Sequence, residues 1–264
     1  MKILTRLVQP VKKIIQKNQW LKMELERFRK EQKQFSTENN FVFGTEEIPD
    51  FVIPIPPNSL RATVSSPSLA GYLIVADGWY FLISWLLKKR ATILDIGCGC
   101  GKLARLFLHH PFIEKYIGFD NYEKSIEWCQ KYITPLSSEK FQFIFVNILS
   151  EAYNPQGKFR GSSFIFPIDD FEIDIAIAAS LFTHLLEEDA INYLKQTKRV
   201  LKKDGILVAS IHTDVPPGKR YSGNEIRIDV KVDYFIELAQ SCGLIFDRRL
   251  GTLLGQDVLI FKSC

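Results

Sequence analysis

The 264 residues carry 34 Lys or Arg against 30 Asp or Glu, and 46% are apolar and 24% charged, the proportions of a globular chain with one sizeable core. Five cysteines without regular spacing exclude a disulfide framework, and ligands for a zinc site at suitable spacing are lacking, so no metal is expected. No run approaches the roughly 18 uninterrupted apolar residues of a spanning helix, and no short apolar core precedes a small-residue cleavage site, so a cytoplasmic protein is expected.

Residues 1–40 are charged and helical in period, and a helical extension is expected there. Ten Lys or Arg against three Glu give residues 1–35 a charge of about +7, which leaves the other 229 residues near −3. The globular part therefore has no overall basic footprint, and no nucleic-acid partner is expected. Leu4, Leu7, Val11, Ile14, Asn18, Leu21, Leu25, Phe28 and Phe35, with Gln32 at the remaining seam position, follow alternating three- and four-residue steps, a heptad seam with Asn18 at an a position. Pro10 starts or kinks this helix. Residues 1–35 then serve either a homodimeric coiled coil or, with their basic surplus and Trp20, a peripheral contact at the inner membrane surface; packing or disorder is the third alternative.

Residues 41–76, with the string IPDFVIPIPPNSL, are a proline-rich segment expected to cover substrate. The domain proper is placed at 77–264. Its patterns predict helix 77–89, strand 91–96, helix 101–109, strand 115–119, helix 122–132, strand 141–147 and strand 172–179. Helix 187–201, strand 205–211, helix 231–242 and strands near 244–250 and 256–262 complete the order. Runs such as ILDI, FQFIFV, IDIAIA and ILVASI suit strands buried on both faces and separated by helices. This predicts an α/β fold, a doubly wound and mostly parallel sheet whose ligand sits beyond the C-terminal strand ends.

Strand ILDI runs into Gly97-Cys98-Gly99-Cys100-Gly101. Glycine there permits positive φ and close approach of a ligand to the backbone, ahead of free N–H groups at a helix start. A dinucleotide turn would place its third glycine at 102, where Lys102 stands, so that glycine comes one residue early. Strand YIGFD ends at Asp120, about twenty residues on, where an acid can accept from a ribose diol.

The spacing D-x-G-x-G-x-G from Asp95 resembles the first motif of class I S-adenosylmethionine-dependent methyltransferases, and the likeness runs from about residue 60 to the C-terminus. It implies a Rossmann-like domain with seven strands and S-adenosyl-L-methionine as cofactor. Asp95, Gly97, Cys98, Gly99 and Gly101 are the contacts it implies at the turn, and Asp120 with Asn121 those at the ribose. Asn147, Ile148 and Ser180 follow at later strand ends. Asn147 stands where many relatives place an Asp that accepts from the adenine amino group, so this contact is weakened.

Further strings resemble a bacterial subgroup associated with glycan and glycolipid assembly. They are Ile55-Pro56-Pro57 through Leu60-Arg61, Tyr153-Asn154-Pro155-Gln156-Gly157, Ser180 through Leu185, Arg199-Val200-Leu201 and Gly255 through Val258. The likeness implies O-methylation of a sugar hydroxyl, although no single residue recognises a sugar. A small carboxylate, amine or lipid-linked metabolite is the alternative acceptor, and a catalytically silent cofactor-binding scaffold the alternative of another class.

A hydroxyl acceptor calls for a general base near the strand ends. His184 follows the fourth strand and His212 the fifth, with Asp214 two residues on; these three are the catalytic candidates, while His109 and His110 fall at the far end of a helix. Tyr153-Asn-Pro-x-Gly is also a good turn in its own right, and Phe182 a good core aromatic. Segment Pro216 to Arg227 suits a lid, with Lys219, Arg220 and Arg227 placed for an anionic substrate.

Overall fold

A computed structural model describes residues 53–264. The predicted helical extension and the first part of the proline-rich segment lie outside the described residues. Short helix α1 (Asn58–Thr63) and long helix α2 (Leu69–Leu86) precede strand β1 (Ala91–Ile96). There follow α3 (Ala104–Phe107), β2 (Ile113–Asp120), α4 (Glu123–Tyr132), β3 (Phe141–Phe145) and β4 (Ile173–Ala178). Next come α5 (Glu187–Val200), β5 (Leu201–Ile211), a hairpin of β6 (Tyr221–Asn224) and β7 (Arg227–Val230), α6 (Val232–Ser241), β8 (Leu244–Leu253) and β9 (Gln256–Ser263).

Seven strands form one sheet in the order β3-β2-β1-β4-β5-β9-β8. The first five are mutually parallel, whereas β9 pairs antiparallel with both β5 and β8. Helices cover both faces, the Rossmann-like arrangement that the alternation of runs predicts. From Ile175 on, side chains of β4 alternate between two apolar layers: Ile175 and Ile177 join the layer of α2, α3 and α4, while Ala176 and Ala178 join that of α5 and α6; a register irregularity before Ile175 puts Ile173 in the second layer too. Burial on both faces explains why these strands lack polar alternation. Chain order reverses between β1 and β4, which places the ligand crevice beside the C-terminal end of β1.

Several features depart from the predicted elements, among them β3, which ends at Phe145, and β5, which begins at Leu201. Helix α2 begins at Leu69, eight residues before the predicted start, with Ser68 capping it by accepting from Gly71 N–H at 3.1 Å. The predicted helix 101–109 shrinks to the single turn of α3, because the glycine turn continues through Lys102. The segment expected as a lid is the two-stranded hairpin β6–β7. Its cations Arg220 and Arg227 are already engaged, Arg220 with Glu237 at 2.5 Å and Arg227 with both carboxylate oxygens of Asp229 at 2.9 Å.

Several family-like strings hold the fold together. The buried Arg61 guanidinium donates to Pro56 O at 2.7 Å and to Pro67 O at 3.0 and 3.1 Å. Arg199 donates to Phe166 O and Ile168 O, pinning the stretch before β4. Phe182 is a core aromatic, edge-on to Phe235 at 4.9 Å.

Candidate functional site

A cavity of about 550 Å³ opens at the C-terminal ends of β1, β2, β4 and β5, within the range of small-molecule sites. Its floor is the glycine turn. Gly97, Gly99 and Gly101 all have positive φ, at 73°, 53° and 69°. A Cβ on Gly99 would sit 2.4 Å from Val64 Cγ1, and one on Gly101 would sit 2.4 Å from Ile133 Cδ1. The first glycine lets residues 63–65 close over the turn, and the second lets α4 pack beneath it. That packing explains the early third glycine.

Asp120 fastens this turn. Its carboxylate accepts from Gly99 N–H and from Tyr122 N–H, each at 2.8 Å, and still lines the cavity. Burial pushes its pKa up, against the backbone amides of Tyr122, Gly99 and Asn121. Asp95 is buried and accepts from the Tyr116 hydroxyl at 2.5 Å. Burial drives its pKa up to about 7 despite that bond. Cys98 and Asn121 line the same wall, as does Ile148 beyond β3. Ser180 carries φ 58°, a costly conformation for a residue with a side chain, and its N–H donates to Ser210 Oγ at 2.8 Å.

Asn147 does not face the cavity. Strand β3 stops at Phe145, so Val146 and Ile148 point to the site and Asn147 to the other side. Its Oδ1 accepts from Asn154 Nδ2 at 3.2 Å, which ties down the turn that follows. In that turn a Cβ on Gly157 would fall 2.3 Å from Leu149 N, so the glycine serves the backbone while Tyr153 enters the cavity.

His184 and His212 both line the cavity. His184 Nδ1 lies 2.8 Å from the Glu225 backbone oxygen, and the Tyr153 hydroxyl lies 3.3 and 3.4 Å from its two ring nitrogens. Burial lowers its pKa. Asp214 is exposed and outside the cavity lining, and its backbone N–H donates to Asp229 Oδ1 at 3.2 Å. His109 is exposed, and His110 packs on Phe107 and Phe112, both away from the cavity.

Other lining residues escaped the sequence reading. Glu225, at the hairpin tip, accepts from Ser150 Oγ at 2.5 Å and from Ala152 N–H at 3.2 Å, and so joins the hairpin to the Tyr153 loop. Gln256 of β9 donates to Ser180 Oγ and accepts from Ser210 Oγ at 2.6 Å. Lys102 follows the glycine turn and donates to Val64 O at 2.9 Å and Ser66 Oγ at 3.0 Å. Burial lowers its pKa to about 8. Asp189, half-buried at the start of α5, and Tyr193 close the end opposite the turn. The string Gly255–Val258 signalled Gln256, and the expected lid Pro216 to Arg227 contains Glu225.

A glycine turn clipped to an acid at the end of the next parallel strand, opening on a cavity at the switch point, defines a nucleotide-cofactor enzyme of Rossmann-like class. The chain belongs to a methyltransferase domain family, whose profile matches residues 76–235. It is an S-adenosylmethionine-dependent methyltransferase. Among solved structures, an S-adenosylmethionine-dependent methyltransferase from Aquifex aeolicus is similar, with a TM-score of 0.56 and 16% identity over 80% of this chain and 100% of that one. The 1,6-didemethyltoxoflavin-N1-methyltransferase of Burkholderia thailandensis, solved with 1,6-didemethyltoxoflavin and S-adenosylhomocysteine, gives 0.53 and 16% over 81% and 93%. A TehB-like methyltransferase from Corynebacterium glutamicum gives 0.51 and 18% over 71% and 88%.

Proposed function

We propose that this methyltransferase acts on a hydroxyl of a glycan or glycolipid precursor, with His184 as general base. The observation that carries the reading is the 2.8 Å contact between His184 Nδ1 and the Glu225 backbone oxygen. A carbonyl can only accept, so Nδ1 holds the ring proton and Nε2 keeps its lone pair. The lowered pKa keeps the ring neutral at pH 7 and ready to take a proton.

The cofactor fits the turn end of the cavity. Asp120 has one amide on each carboxylate oxygen, which leaves a lone pair on each for a ribose diol. Gly97 and Gly99 line this end beside the methionine portion, and Lys102 supplies a cation for its carboxylate. Bound S-adenosylmethionine supplies an electrophilic methyl on a sulfonium. The enzyme's residues then align the acceptor, exclude water and remove the hydroxyl proton at His184 Nε2.

The acceptor end supports a polyol over a phosphate. Asp189, Glu225, Tyr153, Tyr193 and His212 offer oxygen and nitrogen groups for hydroxyls, whereas the lining cation Arg227 is held by Asp229. Two carboxylates would equally suit an amine, which is the second reading. Incubation of the full chain with methyl-labelled S-adenosylmethionine and fractionated glycan, glycolipid and amine pools separates the readings. Label in an alkali-stable sugar ether supports the first, and label on nitrogen the second. Cofactor binding with no transfer to any pool supports the silent scaffold.

A further inference from the structure

Helix α2 has two apolar faces, only one of which is used by the fold. Tyr72, Ala76, Trp79 and Ile83 are buried against the sheet, so the helix is fixed in the domain and does not span a bilayer, although by length and composition it could. On the outward face Ile74, Phe81 and Trp85 are 61%, 72% and 53% exposed. Their spacing of seven and four places them in one stripe. Leu254, 49% exposed, extends the stripe from the β8–β9 turn, which packs on Gly78. Single exposed apolar residues are ordinary, but a stripe of three on one helix beside a fourth marks an interaction surface.

Charge around the stripe identifies the partner. The helix runs directly into Lys88, Lys89 and Arg90, all exposed and without an acidic partner among the described residues. Lys88 Nζ lies 5.6 Å from the Trp85 ring and the Arg248 guanidinium 5.8 Å, so the indole is flanked by cations. Arg248 also pairs with Asp247 at 2.8 Å, and Asp77 is the exposed acid within the stripe. The net excess is basic, which favours an anionic partner over a second copy bearing the same excess.

We propose that this face docks on an anionic lipid bilayer. Ile74, Phe81 and Trp85 enter the boundary between headgroups and acyl chains, and Lys88, Lys89, Arg90 and Arg248 meet lipid phosphates. Val75, Ala76 and Trp79 of the same helix line the cavity. Docking therefore brings the cavity within about one helix diameter, ~10 Å, of the lipid surface. A lipid-linked acceptor would be presented at that wall. The docking itself is independent of the acceptor proposed above, and lipid binding is read without any acceptor.

The test is flotation of the full chain with vesicles of phosphatidylcholine alone or mixed with phosphatidylglycerol. The basic residues 1–35 are retained throughout as a constant background. Wild type is expected to bind the anionic vesicles and not the neutral ones. Phe81→Gln/Trp85→Gln should lower the partition coefficient about ten-fold or more, as two large side chains stay out of lipid. Lys88→Gln/Lys89→Gln/Arg90→Gln should weaken binding and flatten its salt dependence. S-adenosylhomocysteine affinity unchanged in both variants shows that they are folded. Failure of wild type to bind, or binding by both variants at the wild-type level, overturns the proposal. A change in sedimentation-measured self-association with unchanged lipid binding also overturns it, in favour of a second copy.

Discussion

Replacing Asp120 with Asn separates two tasks of one carboxylate. In the wild type each oxygen accepts one backbone N–H at 2.8 Å, from Gly99 and from Tyr122. Asn retains one oxygen, and its amide group must face one of those N–H donors, which is left without an acceptor. An orphaned buried donor costs about 1–3 kcal/mol, partly offset because burial already disfavours the Asp120 charge. The unliganded melting temperature should therefore fall by a few degrees. The larger effect is on the ligand, since a hydrogen bond to a charged group contributes about 1.5–3 kcal/mol, or about 10- to 150-fold in Kd. Calorimetry with S-adenosylhomocysteine, paired with melting curves, reads both quantities. A folded Asp120→Asn protein that binds within two-fold of wild type would refute the ribose assignment.

Further outcomes follow from the same geometry. Gly99→Ala should lower both melting temperature and cofactor affinity, because φ 53° costs about 1–2 kcal/mol with a Cβ and the new methyl meets Val64 at 2.4 Å; unchanged values in both measurements would contradict the packing. Asp95 titrates near pH 7 when folded and near 4 when unfolded, so its contribution to unliganded stability is full below about pH 4 and is lost as pH rises through 7. The loss is about 3–5 kcal/mol, read by urea unfolding across that range, and Asp95→Asn should flatten the dependence. Glu225→Ala removes the bonds to Ser150 and Ala152 yet keeps the backbone oxygen that orients His184. Steady-state kinetics should show acceptor KM rising several-fold with kcat nearly kept, and a collapse of kcat at constant KM would contradict this division of roles.

The sheet was legible because β1, β4 and the second half of β5 are runs of apolar residues buried on both faces and punctuated by turns. The glycine turn and its clip to Asp120 were legible for a related reason: the glycine spacing and Asp120 lie at successive strand ends, close in sequence. Helix α2 was mistaken at its start because apolar residues on its outward face, Ile74, Phe81 and Trp85, blur the period that marks a helix. Asn147 was assigned to the cofactor by the resemblance, whereas its side chain meets Asn154 and lies outside the cavity lining, a contact that depends on the following turn. Glu225, Gln256 and Lys102 reach the cavity through a short hairpin, an antiparallel edge and a folded-over turn. Such juxtapositions depend on tertiary contacts that no local pattern encodes. Arg220 and Arg227 looked available for an anion because their partners, Glu237 and Asp229, cannot be inferred from charge alone.

The most direct test of the account is the pH dependence of methyl transfer from labelled S-adenosylmethionine to a hydroxyl acceptor, for wild type and His184→Gln. Burial lowers the His184 pKa, so wild-type turnover should hold at neutral pH and fall only as pH drops below about 6.5, where the base becomes protonated. His184→Gln should lower turnover by roughly 10²–10⁴-fold, abolish that acid limb and leave S-adenosylhomocysteine affinity unchanged. Turnover within a few-fold of wild type, with the acid limb intact, would contradict the assignment of His184 as the base.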